Sequence, residues 1–140
     1  MNKQPLLEMK GITKRFPGVI ANENVNLTLY PGEVHALLGE NGAGKSTLMN
    51  ILTGIYFPNE GSIQYKGRTV VLDNPRKAVN LGIGMVHQHF KLVEAMTVAE
   101  NICIYAGKCG YILNKKRMNA EVQEYAQRFH LAVDPSATVQ

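Results

Sequence analysis

The sequence predicts an α/β fold, and three observations carry that prediction. A short, mostly apolar segment, Val34 to Leu38, runs directly into glycine-rich Gly39-Glu40-Asn41-Gly42-Ala43-Gly44, and Lys45 to Thr53 then takes on helical character. Strand-like segments lie on both sides of that unit: Val25 to Leu29 before it, Ser62 to Tyr65 and Thr69 to Leu72 after it. Further along, Met118, Val122, Tyr125 and Phe129 recur at the spacing of one helix face.

The elements follow in order. Leu6 to Met9 reads as a strand leading to an irregular stretch at Pro17-Gly18. Val25-Asn26-Leu27-Thr28-Leu29 alternates apolar and polar, as a half-buried strand does, and Pro31-Gly32 turns the chain. Val34 to Leu38 is apolar enough for a more deeply buried strand, and the helix after the glycine-rich loop closes at Gly54. Pro58-Asn59-Glu60-Gly61 is a turn, and the two following strands pair across Lys66-Gly67-Arg68. Asn74 caps a helix with Pro75 in its first position, ending near Gly82, and Gly84 to His87 reads as a strand. Thr97-Val98-Ala99-Glu100 is a capping-box pattern, after which Val98, Ile102 and Tyr105 share a helix face. Both apolar helix stripes are read as packing surfaces.

Composition narrows the function classes. The 140 residues are 45% apolar and 19% charged, which suits a soluble globular domain. A net charge of +4 fits an anionic ligand, but the basic residues are scattered and the densest run, Lys115-Lys116-Arg117, is three long. That run reads as a solvated helix start, and no nucleic-acid partner is expected. Cys103 and Cys109 fit no zinc spacing and are expected to be reduced thiols. No apolar run approaches the length of a membrane span, the N-terminus has no apolar targeting core, and Asn2 stands where myristoylation would need glycine. A partner would have to hold the chain at a membrane.

Gly39 and Gly44-Lys45-Ser46 satisfy G-x-x-x-x-G-K-[ST]. A loop leaving a strand must wrap a phosphate chain, and glycine permits the positive φ and close backbone approach that this needs. Successive N–H groups then form an anion-binding nest, with the positive end of the helix dipole behind them. Gly39, Glu40, Asn41, Gly42, Ala43 and Gly44 form the cradle. Lys45 is expected to reach the β and γ phosphates, Ser46 to ligate magnesium, and Thr47 to add a phosphate contact. The expected ligand is ATP with Mg2+.

The segment Gly39 to Leu48 resembles the Walker A motif of ATP-binding cassette (ABC) proteins. Flanking residues agree. Phe16 lies 29 residues before Lys45, where the family has an aromatic on which adenine stacks. Leu52-Thr53-Gly54 with Pro58 and Gly61-Ser62-Ile63 resembles the stretch after the Walker A helix. Met85-Val86-His87-Gln88 resembles the Q-loop, and Met96 to Ile102 the segment behind it. The resemblance covers nearly the whole chain. It implies a cassette with a partial parallel core sheet, an antiparallel β-subdomain and the start of a helical subdomain. It implies that Gln88 touches magnesium and the attacking water and couples the site to a membrane partner. His87 and His89 flank Gln88, but no third ligand stands nearby and P-loop magnesium prefers oxygen.

The finer likeness, carried by His87-Gln88-His89-Phe90-Lys91-Leu92-Val93, is to importers of simple sugars and nucleosides. It implies a peripheral subunit on the cytoplasmic face of the membrane. Its partners would be transmembrane permease subunits, a second cassette and, indirectly, an extracellular solute-binding protein. Residues 1–140 hold the Walker A and Q-loop segments but no signature motif, Walker B strand or switch histidine. The expectation is therefore the N-terminal part of one ABC domain, with negligible ATPase activity alone, exposed apolar surface and marginal stability. A soluble ABC ATPase fragment and a nucleotide-binding module without catalysis are the alternative readings.

Overall fold

A computed structural model describes residues 4–86, 92–106 and 114–139. It divides into two compact units, residues 1–86 and 87–140.

The first unit is built on an antiparallel sheet of order β2-β1-β3-β4. Its strands are β1 (Leu7–Phe16), β2 (Val19–Leu29), β3 (Glu60–Tyr65) and β4 (Arg68–Val70). β1 is the central ribbon, paired along one edge with β2 and along the other with β3. The β1–β2 ladder shifts register between Met9 and Ile12 and again near Lys14. Side chains stand in where the ladder is interrupted: Asn26 Oδ1 accepts from the Gly11 N–H at 2.8 Å, and Thr13 Oγ1 accepts from the Asn24 N–H at 3.0 Å. Strand backbone thus stays hydrogen-bonded through the bulges. β3 and β4 meet at a two-residue turn, Lys66-Gly67, with φ of 50° and 74°. Positive φ at both positions is what a type I′ hairpin requires.

One face of this sheet packs on α1 (Lys45–Leu52) and α2 (Pro75–Asn80). Met9, Ile12, Leu27 and Ile63 from the sheet meet Leu48, Ile51 and Leu52 of α1, with Leu72 and Ala78 completing the cluster. Ile51 and Ile12 are wholly buried. Truncating either to alanine removes about 2–5 kcal/mol. α2 starts as the sequence predicts: the Asn74 side chain accepts from the Lys77 N–H and Pro75 occupies the first turn.

Two expected strands are corrected. Residues 33–40 form no strand, and Val34 and Leu38 are 102% and 89% exposed. A parallel strand is fixed by ladders on its flanks, and no other described segment pairs with this one. Residues 83–86 likewise carry no regular structure, while His87 lies outside the described residues. The sheet that does form is antiparallel throughout the described residues.

The second unit contains α3 (Val98–Ala106) and α4 (Lys115–Arg128). The capping box is present: Thr97 N–H donates to Glu100 Oε2 at 2.9 Å, and Glu100 N–H donates to Thr97 Oγ1 at 3.3 Å. Residues 135–139 add a second layer, since Pro135 and Ala137 carbonyls accept from Ala99 and Val98 and a bridge joins Thr97 to Thr138. Asn101, 3% exposed, accepts from Val93 N–H and donates to the carbonyls of Val93 and Thr97. The expected stripe on α3 is corrected in part. Among the side chains described, Ala99 and Asn101 are buried, Val98 is half-buried and Ile102 is 45% exposed, while the Tyr105 side chain lies outside the described residues. On α4, Val122 and Ala126 are buried, and Tyr125 and Phe129 stay largely exposed. Lys115, Lys116 and Arg117 sit exposed in the first turn of α4, as expected, behind the Asn114 cap.

Candidate phosphate site

The glycine-rich loop is shaped by contacts from both its ends. Ala43 N–H donates to the Glu40 carbonyl at 3.2 Å, closing a turn over Glu40 to Ala43. A Cβ on Gly39 would stand 3.3 Å from that of Ala43, so the loop doubles back on its own start. Gly42 and Gly44 take φ of 87° and 79°, where side chains are disfavoured. Gly44 is also nested against β2. A Cβ there would lie 2.2 Å from the Ala21 carbonyl oxygen and 2.6 Å from Asn22 Nδ2. Only glycine fits this position on both counts.

α1 begins at Lys45 with Gly44 as its N-cap, and no side chain caps it. Its first helical bond runs from Leu48 N–H to the Gly44 carbonyl at 2.9 Å. The helix therefore presents first-turn amides and the positive end of its dipole beside the loop. Lys45 is half-buried and folds back over the loop: Nζ donates to the carbonyls of Gly39 at 2.7 Å and Glu40 at 2.6 Å. Ser46 is exposed and Thr47 half-buried in the first turn. Glu40, Asn41 and Ala43 are exposed. The expected residues Gly39 to Thr47 are thus gathered in one place.

Phe16 ends β1 and is paired with Val19. Gly44 packs on Ala21, two residues further along β2. At about 3.3 Å per strand residue, the aromatic end of the hairpin lies on the order of 10 Å from the loop. Phe16 is half-buried and meets Tyr56 edge-on, with ring centroids 5.3 Å apart and planes at 74°. Lys14 Nζ lies 5.1 Å from the Phe16 centroid and donates to the Phe57 carbonyl. Gln88, His87 and His89 fall outside the described residues. Among the described residues no cluster of three or more His, Cys, Asp or Glu could hold a metal.

Sequence reasoning missed Asn22 and Tyr56. Asn22 is 6% exposed and donates from Nδ2 to the Gly44 carbonyl at 3.2 Å. Tyr56 is brought to Phe16 by the chain's return from α1. Neither carries a local signal, since each depends on a contact between distant segments.

A glycine-built loop that delivers its last residue to an uncapped helix, with an ammonium folded over it, defines a P-loop protein. The chain belongs to the ABC transporter family, whose model matches residues 22–139. It is 53% identical over 134 residues to the guanosine import ATP-binding protein NupO of Bacillus subtilis (strain 168), covering 94% of this chain and 26% of that protein. It is 50% identical over 140 residues to the nucleoside import ATP-binding protein NupA of Lactococcus lactis subsp. cremoris (strain MG1363), covering 99% of this chain and 28% of that protein. The ribose import ATP-binding protein RbsA 1 of Rubrobacter xylanophilus is 48% identical over 137 residues, with 97% and 28% covered. The chain therefore spans about a quarter of the length of these relatives. Among solved structures, the ATP-binding cassette MJ1267 of an ABC transporter superposes with a TM-score of 0.78 at 23% identity, over 96% of this chain and 57% of that one. That likeness is one of fold.

Proposed function

We propose that the chain is the phosphate-binding part of an ATP-binding subunit of an ABC importer, which couples ATP binding and hydrolysis to uptake of a nucleoside or simple sugar. The observation that carries this reading is the arrangement of Gly44, Lys45 and the uncapped start of α1. The loop of Gly39, Glu40, Asn41, Gly42, Ala43 and Gly44 wraps the phosphates, and Thr47 adds a contact from the first turn. Lys45 is held now by two neutral carbonyls. A triphosphate attracts an ammonium more strongly than carbonyl dipoles do, so Nζ leaves Gly39 and Glu40 for the β and γ phosphates.

The residues present fit magnesium as well as phosphate. The Ser46 hydroxyl stands exposed in the first turn, and Gln88 offers a neutral amide oxygen. Bound magnesium would neutralise part of the phosphate charge. Lys45 and Gln88 act in the reaction, Lys45 on phosphate charge and Gln88 on the attacking water. Phe16 stacks on adenine at the hairpin end. Names of the relatives support import of a nucleoside or sugar. In the whole protein the subunit sits peripherally on the cytoplasmic face of the membrane. There it meets permease subunits and a second cassette, and works indirectly with an extracellular solute-binding protein.

The test is calorimetric titration of Mg-ATP into the chain. The parental chain is expected to bind, and Lys45→Ala to lose about 100-fold in affinity, as removal of a charge-assisted bond predicts. Equal binding by the two proteins would remove the phosphate role of Lys45. Absence of binding by folded parental protein would sink the whole reading.

A further inference from the structure

We infer that Asn22 is a positioning residue for the phosphate loop, fixing the peptide that presents the Lys45 backbone N–H to the bound phosphates. The inference rests on the nucleotide-binding reading above and adds a residue that neither motif nor fold resemblance singles out.

The argument starts from peptide geometry. In a trans peptide the C=O and the following N–H point in opposite directions. The Gly44 carbonyl and the Lys45 N–H belong to one such unit. Two donors hold that carbonyl: Leu48 N–H at 2.9 Å from within α1, and Asn22 Nδ2 at 3.2 Å from β2. A carbonyl oxygen only accepts, so the amide nitrogen of Asn22 must face it. With the oxygen pinned towards α1 and β2, the Lys45 N–H is turned the opposite way, to the side of the loop where an anion would sit. Gly44 takes φ of 79°, a region that glycine enters without strain, and within the loop and helix backbone a single bond, from Leu48 N–H, holds its carbonyl. The amide contact from β2 adds a second anchor to the same oxygen, from a separate element of the fold.

A second observation separates positioning from packing. Asn22 is 6% exposed, and its Oδ1 meets no donor among the described residues. Burying an amide oxygen without a partner is costly, and an apolar side chain of similar shape would escape that cost. A half-satisfied amide is thus a poor choice for stability at this site. It is a good choice if its one bond orients the loop.

The experiment compares Asn22→Leu with the parental chain by thermal unfolding and by Mg-ATP titration. A positioning role predicts an unchanged or raised Tm with affinity lowered about tenfold, the scale of one lost hydrogen bond. A purely structural role predicts the reverse: lowered Tm, with unchanged affinity in the folded fraction. That result overturns the inference. Should Asn22→Leu fail to fold, NMR of the parental chain decides instead. The Asn22 side-chain NH2 is expected to exchange slowly with solvent and to shift together with the Lys45 amide when Mg-ATP is added. Fast exchange, or a Lys45 amide that shifts while Asn22 does not, overturns the inference. Parental protein that binds no Mg-ATP fails at an earlier step, and removes the nucleotide reading rather than the role of Asn22 within it.

Discussion

The starts of α1 and α3 solve the same physical problem in opposite ways. Every α-helix begins with amides that its own turns cannot satisfy. At α3 the protein satisfies them. Thr97 and Glu100 cap reciprocally, and the carbonyls of Pro135 and Ala137 take the amides of Ala99 and Val98. At α1 the cap is Gly44, which has no side chain, and the described backbone bonds begin only at Leu48. α2 and α4 resemble α3, since Asn74 and Asn114 each accept from an amide three residues on. The difference teaches where the molecule invests in its own stability and where it leaves donors for something else. A closed helix start is scaffold; an open one beside a lysine is what the proposed phosphate role requires.

The largest effect is expected where the open start depends on glycine. In Gly44→Ala the new Cβ would meet the Ala21 carbonyl oxygen at 2.2 Å, with φ at 79°. The loop must leave β2, and Mg-ATP affinity should become unmeasurable by calorimetry. Binding within tenfold of the parental chain would show that the loop's seat on β2 does not matter. Phe16→Ala should act more gently, because it spares every phosphate contact. Base–aromatic stacking is worth about 1–3 kcal/mol, so affinity for Mg-ATP should fall by roughly tenfold. Affinity for inorganic triphosphate, which has no base to stack, should not change. An equal loss for both ligands would mean that Phe16 supports the fold through Tyr56 rather than touching adenine.

How far the sequence foretold these two helix starts depends on the range of the interactions. Caps are local, so Asn74 and the Thr97–Glu100 box could be read from spacing alone, and so could the loop from Gly39 to Ser46. Long-range consequences could not. β1 runs on to Phe16, well past the Leu6–Met9 segment that alternation marks, because bulges at Gly11 and Thr13 break the period while side chains keep the ladder bonded. Val34 to Leu38 has the composition of a buried strand, yet composition supplies no neighbours and both end residues stand in solvent. Asn22 reads as one polar residue in a polar stretch; only the fold of β2 onto Gly44 gives it a task. The α3 stripe differs from its helical spacing for a related reason. The cap network and the 135–139 segment set which face is covered, and they bury Ala99 and Asn101.

Removing one member of the closed start should have a smaller effect than any change at the open one. Thr97→Ala deletes one side of the reciprocal cap and should lower the stability of the second unit by about 1 kcal/mol. Amide exchange across Val98 to Asn101 would report it. No change in protection would mean that the 135–139 carbonyls alone hold the helix start.

The smallest effect is a pH dependence at the same cap. The Glu100 carboxyl is held below its ordinary value of about 4.5, first by the Thr97 backbone N–H and then by Lys115, whose Nζ lies 3.1 Å away. A carboxylate with a depressed folded-state pKa lends stability above its unfolded value and loses it as pH falls through the folded one. Protection at the start of α3 should therefore be level from neutral pH down to about 4.5 and decline below that. Lys115 stands largely in solvent, so salt should blunt the ion-pair share of the effect. Glu100→Gln keeps an oxygen for the Thr97 amide but cannot titrate. Its profile should lack the acid limb that the parental chain shows. A variant with the same acid limb would move the titration away from Glu100, and would leave the closed start resting on Thr97 and the 135–139 backbone alone.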